Sequence, residues 1–323
     1  MNLIELYKQN SYDYLNIYNH PKTIKRLSNG NREINFIIAV KDRTEFFRPT
    51  LRNIVLAANN SPLKVRVIVV EQNNEPINDK FCEQFHIDYI FIPQESCHQC
   101  EYFHSTSLMY NVGYLFARQA RYNFMHCADI LLPHNFFKEL NKYYLNKEFN
   151  WLQPFHNKRV IKIDEKITKA YINDELICFD PMLINKENIV AENSGAPGGC
   201  LCVSSEIMDE IGGYSPELYW GYCAEDAEIW CRLECFFNKK QATGTHLGSA
   251  LYADNPPIEI YHFSHPRAQS LNHNFDKMQE CYQQFINLSY EEQMEIIEFK
   301  SKEFKKQKQL INEIKQIKNS NNN

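Results

Sequence analysis

The sequence has no run approaching the ~18 consecutive apolar residues that a membrane-spanning helix needs. The segment Met1–Asn10 is amphipathic and lacks the apolar centre of a secretory signal. Basic charge is not in excess. Lys and Arg number 35 against 40 Asp and Glu, a formal charge of −5, which argues against a dedicated nucleic-acid binder. Glycine is scarce, at 10 in 323 residues, and no internal repeat is visible, so collagen-like and solenoid architectures are excluded. Cys97-His98-Gln99-Cys100 has no second pair at zinc-knuckle spacing, which disfavours a metal or redox role for it. The 11 cysteines are odd in number and irregularly spread; with no secretory signal they read as reduced thiols of a cytosolic chain. What remains is ordinary globular composition, 44% hydrophobic and 23% charged, long enough for one large domain or two small ones. Aromatic residues reach 13%, which suits sugar-stacking surfaces and core filling alike.

Residues 1–32 are polar and aromatic and read as helical, ending at the turn signal Ser28-Asn29-Gly30-Asn31. Ile34 to Val40 is a short apolar run of the kind a buried strand shows. Helical spacing follows over 45–58, then strand patterns at Val65–Val70 and Ile87–Ile92, a helix over 104–120 and a strand at Tyr122–Cys127. Strands alternating with helices predict an α/β fold with a mostly parallel sheet flanked by helices, and ligands at the carboxyl ends of its strands. Those ends are Lys41-Asp42-Arg43, Glu71-Gln72 and the segment after Cys127. From Tyr290 the pattern is a long helix with sparse apolar positions, and Lys300 to Lys318 holds seven Lys against two Glu. A solvated helix packed along one side, an oligomer-forming helix and a membrane-surface helix are the alternatives.

The densest chemical signal lies between 195 and 233. Gly198-Gly199 precedes a β-like run, Gly212-Gly213-Tyr214 follows, and Tyr219-Trp220-Gly221-Tyr222 leads into Glu225-Asp226-Ala227-Glu228, with Arg232 shortly after. Taken alone, acidic residues in a first helical turn satisfy the helix dipole. Taken together, these elements resemble the carboxyl-terminal block of the β-1,4-galactosyltransferase and chondroitin-polymerase type of glycosyltransferase. Val40-Lys41-Asp42-Arg43, Val69-Val70-Glu71-Gln72 and Asn111-Val112-Gly113-Tyr114 resemble further elements of that family, so the resemblance spans roughly 34–267. It implies a GT-A fold, a Rossmann-like domain over 33–286 with an N-terminal helical segment, 1–32, and a helical tail, 287–323.

The resemblance implies Asp226 as general base and Glu225 as its neighbour holding donor or acceptor hydroxyls. It places Lys41, Arg43, Glu71, Asn111, Asp129, Gly198, Gly199, Trp220, Tyr222 and Arg267 around a nucleotide sugar. Tyr222 stands where galactosyltransferases have Trp, so the donor need not be galactose. The family's Asp-x-Asp is altered here: His126 stands at the first Asp, Ala128 at a second, and Asp129 remains. Divalent-ion ligands are therefore sought among Asp129, His126, His262 and His265, with Mn²⁺ favoured over Mg²⁺. Two His three apart on a strand cannot face one side, so one ligand and one bystander are expected of His262 and His265.

The implied activity is that of an inverting transferase moving a hexose or N-acetylhexosamine from a UDP-sugar to a hydroxyl on a glycan or protein, as in polysaccharide biosynthesis. The alternative is a catalytically degenerate glycosyltransferase-like binding or assembly subunit. The expected setting is cytoplasmic, with no nucleic-acid partner. Peripheral membrane contact or oligomerisation would fall to the tail, which is otherwise expected to be dispensable for chemistry.

Overall fold

The computed structural model describes residues 3–9, 11–96, 105–145, 149–154, 160–174, 179, 181–193, 200–219, 224–238, 250–252, 258–265 and 275–320. The strands are β1 (Ile24–Arg26), β2 (Ile34–Val40), β3 (Val65–Asn73), β4 (Asp88–Pro93), β5 (Tyr122–Cys127), β6 (Ile130–Leu131), β7 (Trp151–Gln153), β8 (Val160–Ile163), β9 (Ile189–Asn193), β10 (Cys200–Ser204), β11 (Ala250–Tyr252) and β12 (Ile260–His262). The α-helices are α1 (Leu3–Gln9), α2 (Tyr14–Asn19), α3 (Thr44–Asn59), α4 (Asp79–Gln84), α5 (Thr106–Phe116), α6 (Phe136–Leu140), α7 (Glu165–Ile172), α8 (Ser205–Glu210), α9 (Glu225–Asn238), α10 (Phe275–Ile286) and α11 (Tyr290–Ser320). Among the described residues no helix is long and apolar enough to cross a membrane.

The main sheet runs β1-β4-β3-β2-β5-β10-β7-β11. Its centre, β4-β3-β2-β5, is parallel, while β1 and β10 pair antiparallel to their neighbours. The predicted mostly parallel α/β sheet is therefore present. The period of two along β2 explains why it is apolar on both faces from Phe36 onward: Phe36, Ile38 and Val40 enter a core shared with Phe47 and Leu51 of α3, whereas Ile37 and Ala39 enter one shared with Leu108 and Val112 of α5. Close packing of α5 on β2 demands Gly113, since a Cβ there would lie 2.5 Å from Ile37 Cγ2.

A smaller sheet, β6-β12-β8-β9, lies in a stretch whose sequence is irregular. Its pairing of β12 with β6 sets His262 opposite Ile130 and so brings the end of β12 to the turn that follows β5.

The terminal segments depart from expectation. The first contains two short helices and an edge strand, β1, rather than helix throughout. The last, α11, is about 46 Å long at 1.5 Å per residue. Its sparse apolar positions fall on one stripe, with Ile296, Ile297, Phe304 and Ile311 buried. Several of its lysines turn inward. Lys300 is buried against Glu217 and the Tyr214 carbonyl, Lys308 meets Asp209 and Tyr114, and Lys315 donates to the carbonyls of Leu115 and Ala117. Three of its lysines thus face acceptors of the protein itself, and the helix packs along one side of the domain. Tyr14 and Ile17 of α2 share a core with α5, Phe304 and Ile311, while Leu3, Ile4 and Tyr7 of α1 share another with Leu218, Tyr219 and Ile296.

Candidate functional site

In a parallel sheet of this order the chain leaves β2 toward β3 and β4 and later returns on the other side as β5. The carboxyl ends of β2 and β5 thus flank a topological switch point, where a crevice opens beyond the sheet. Three linked features occupy that edge. Lys41 donates to Gln94 Oε1 at 2.9 Å, tying β2 to the residue after β4. Asp42 has φ 52°, an uncommon left-handed conformation for a non-glycine residue, and accepts from Asn73 Nδ2 at 3.3 Å. Arg43 follows at the start of α3, with its guanidinium on Asp129 and its Nη1 3.2 Å from His265 Nε2.

Asp129 is the centre of a compact cluster. Its ligand oxygen and one ring nitrogen each of His262 and His265 all lie within 4.8 Å of one another. His265 Nε2 is 3.1 Å and His262 Nε2 3.8 Å from Asp129 oxygens. The backbone holds the arrangement, since Phe263 N donates to the Asp129 carbonyl at 3.1 Å. Burial works to raise the Asp129 pKa. The hydrogen bond from His265 and the charges of His262, Arg43 and His265 more than offset it, keeping the carboxylate well below its usual range. His262 Nδ1 is 2.6 Å from the Phe263 carbonyl and donates to it, which aims Nε2 at Asp129. Burial lowers the pKa of His262, and the carboxylate of Asp129 pulls against it. A carboxylate with two imidazoles fits a divalent transition ion such as Mn²⁺ better than the all-oxygen shell preferred by Mg²⁺.

Two metal expectations need correction. His262 and His265 both join the cluster, because β12 stops at His262 and the chain beyond it leaves strand geometry, so the alternation rule does not reach His265. His126 does not join it. Its parity on β5 directs the ring into the core 4.9 Å from the Phe36 ring, Nε2 donates to the Ile130 carbonyl at 3.0 Å, and burial lowers its pKa to about 4, so it is neutral.

Two expected nucleotide contacts are also committed elsewhere. The buried Glu71 carboxylate accepts from the backbone N–H groups of Ile77 and Asn78, from Asn78 Nδ2 and from Tyr89 Oη at 2.7 Å; it holds the turn after β3. Asn111, buried on α5, accepts from Tyr214 N at 2.8 Å and donates to Tyr214 O at 3.1 Å and to Tyr14 Oη. It braces the Gly212-Gly213 turn, where both glycines have positive φ and a Cβ on Gly213 would lie 2.5 Å from Asn111 Oδ1.

Glu225 and Asp226 open α9, where the helix dipole favours negative charge. Asp226 Oδ1 accepts from Ala227 N at 2.8 Å. Both carboxylates are near enough to Tyr214, and Glu225 near enough to Cys127 at the end of β5, to reinforce the burial that raises the pKa of those groups. One turn on lies a network that the sequence reading missed. Glu228 and Arg232, both fully buried, pair at 2.7 and 2.9 Å, and Glu228 also accepts from Tyr7 Oη and Ser215 Oγ, each at 2.9 Å. Arg232 donates in addition to the carbonyls of Ile211 and Gly213. The available signal was an i, i+4 Glu–Arg pair inside an otherwise apolar helical stretch. Gly198, Gly199, Trp220, Tyr222, Arg267, Cys97 and Cys100 lie outside the described residues.

No protein-family model matches this sequence, and no curated protein matches it. The chain is similar in structure to the catalytic domain of Drosophila β1,4-galactosyltransferase 7 in complex with xylobiose, at 16% identity, covering 80% of this chain and 83% of that chain with a TM-score of 0.46. It is similar to Mycobacterium tuberculosis glucosyl-3-phosphoglycerate synthase in complex with Mn²⁺, UDP and phosphoglyceric acid, at 10% identity, 73% and 72% coverage and a TM-score of 0.42. It is also similar to residues 1–349 of S. aureus TarS, at 9% identity, 82% and 69% coverage and a TM-score of 0.46.

Proposed function

We propose that this chain is a GT-A glycosyltransferase that moves a hexose or N-acetylhexosamine from a UDP-sugar to a hydroxyl of a glycan or protein, with inversion. The observation that carries the reading is the meeting of Arg43, Asp129, His262 and His265 at the switch point of a parallel sheet. A carboxylate pair, Glu225-Asp226, opens a helix within electrostatic reach of the same strand end.

Each group then has a task. Asp129, His262 and His265 would hold a divalent ion, with Mn²⁺ preferred. Such an ion supplies Lewis-acid stabilisation of charge on a leaving diphosphate. Arg43 and Lys41, beyond the end of β2, neutralise phosphate oxygens, for which the Arg fork is suited. Asp226 accepts the proton of the attacking hydroxyl, and Glu225 orients sugar hydroxyls beside it. The family resemblance assigns Trp220 and Tyr222 the role of apolar faces for sugar C–H groups, and Gly198, Gly199 and Arg267 a role in donor binding. Glu71 and Asn111 support this pocket without touching substrate. The burial of His126 where the resembling family has an Asp favours one second reading, a catalytically degenerate assembly subunit.

Release of UDP from a panel of UDP-sugars, measured with Mn²⁺ and with EDTA against glycan acceptors, decides between them. Mn²⁺-dependent release from at least one donor is the expected result. UDP binding without release from any donor would overturn the enzyme reading and leave the binding subunit.

A further inference from the structure

The contacts of Arg43 impose a conflict that the cluster cannot resolve internally. Its Nη1 lies against Asp129 Oδ2 and 3.2 Å from His265 Nε2, while that same Nε2 is 3.1 Å from Asp129 Oδ2. A ring nitrogen either carries a hydrogen or presents a lone pair. If Nε2 donates to Asp129, its hydrogen confronts the N–H of Arg43. If it accepts from Arg43, its lone pair confronts the carboxylate. Asp129 is almost fully buried, with its side chain 5% exposed, and needs a cation beside it; Arg43 is 32% exposed and has room to leave.

From this geometry, and resting on the nucleotide-sugar reading above, we propose that the Arg43 guanidinium and a divalent cation are mutually exclusive occupants of Asp129 Oδ2 and His265 Nε2. A divalent ion meets lone pairs from both atoms at once and removes the conflict, but only where Arg43 has withdrawn. A diphosphate offers Arg43 a replacement anion with bidentate geometry. Nucleotide binding therefore releases the ion site, and ion binding releases Arg43 for the nucleotide. By linkage each raises the affinity of the other by the same factor. Arg43 is in this sense a positioning residue whose charge makes ion binding conditional on the donor.

The test is Mn²⁺ titration, read by calorimetry and by the paramagnetic resonance of free Mn²⁺, with and without UDP, for wild type, Arg43→Gln, Arg43→Lys and Asp129→Ala. Thermal melting verifies that each variant is folded. Without UDP, Arg43→Gln is expected to bind Mn²⁺ at least about tenfold more tightly than wild type, the lower end of what one neighbouring charge does to an ionic equilibrium. The gain in Mn²⁺ affinity on adding UDP should shrink in that variant, while Arg43→Lys, which keeps the charge, stays close to wild type. Asp129→Ala should lose the site in every condition. Equal or weaker Mn²⁺ binding by Arg43→Gln without UDP would overturn the exclusion while leaving the metal site standing. No Mn²⁺ binding by wild type even with UDP would overturn the exclusion and the metal-dependent reading together.

Discussion

Replacing Arg232 with Met removes the guanidinium from the Glu228 network while keeping an unbranched side chain of related length. Four donations disappear: two to Glu228, one to the Ile211 carbonyl and one to the Gly213 carbonyl. Glu228 remains fully buried, now with only Tyr7 and Ser215 as partners for a full negative charge. Removing one member of a buried ion pair costs about 3–5 kcal/mol, because the other charge is left uncompensated. Two buried carbonyls also lose a donor, which places this case toward the upper end of that range. With an unfolding entropy of about 2.1 cal/mol/K per residue, that loss lowers the melting temperature by roughly 4–7 °C for a chain of this length. The measurement is thermal and urea unfolding of wild type, Arg232→Met, Glu228→Gln and the double variant. The double variant should cost clearly less than the sum of the singles, since it leaves no buried charge unpaired. A single variant melting within 1 °C of wild type, or strict additivity of the pair, would refute the claim that this ion pair anchors the first turns of α9.

Asp226→Asn should lower turnover by ~10²–10⁴, the usual cost of a lost general base, while UDP-sugar affinity measured by calorimetry stays within about twofold; a variant keeping more than half its turnover would remove Asp226 from that role. Truncation after Asn287 removes Lys300 from Glu217 and Phe304 from its edge contact with Tyr14 and its stack on Tyr114; circular dichroism should show loss of cooperative melting, and a truncated chain melting like wild type would contradict the packing described. Burial lowers the pKa of Lys315 to about 8, with nearby lysines and arginines adding to it, below the ~10.4 of an unfolded chain. Between those values the unfolded state binds more protons, so this residue makes stability rise with pH. Wild type should therefore gain more unfolding free energy than Lys315→Met between pH 8 and 10, and parallel curves would refute the shift.

The centre of the fold was legible because its strands advertise themselves. β2, β3, β4 and β5 are buried on both faces and so appear as mostly apolar runs, despite buried polar residues such as Asn35, Arg66, Asp88 and Asn123, and α3 shows its stripe directly. β1 has three residues and only one paired edge, too little for a pattern. The small sheet pairs Ile260 with Val160 and Tyr261 with Leu131, contacts set by distant chain rather than by local periodicity. Within the site, Glu225-Asp226, Arg43, Asp129, His262 and His265 are singled out through the family resemblance of the segments that carry them. What the pattern could not convey was where a strand stops, which decided the fate of His265, or how a carboxylate is already occupied, which decided that of Glu71. The inward lysines of α11 were hidden for a related reason. A long aliphatic stem lets Lys300 and Lys315 reach interior acceptors that composition cannot reveal.

Tyr7 reaches Glu228 across 221 positions of chain, and Lys300 reaches back to Glu217. Glu228 and Glu217 are therefore each held by a residue far away in sequence, one preceding the sheet strands and one following them. On the ribosome the parallel sheet can assemble early, from strands that neighbour one another in order of emergence. The contact of Lys300 with Glu217 must wait until α11 has cleared the exit tunnel. Contacts of such long span slow the final stage of folding. The consequence is temporal: a growing chain can form its parallel sheet before these two contacts close, and a product aborted before Lys300 would lack the contact to Glu217.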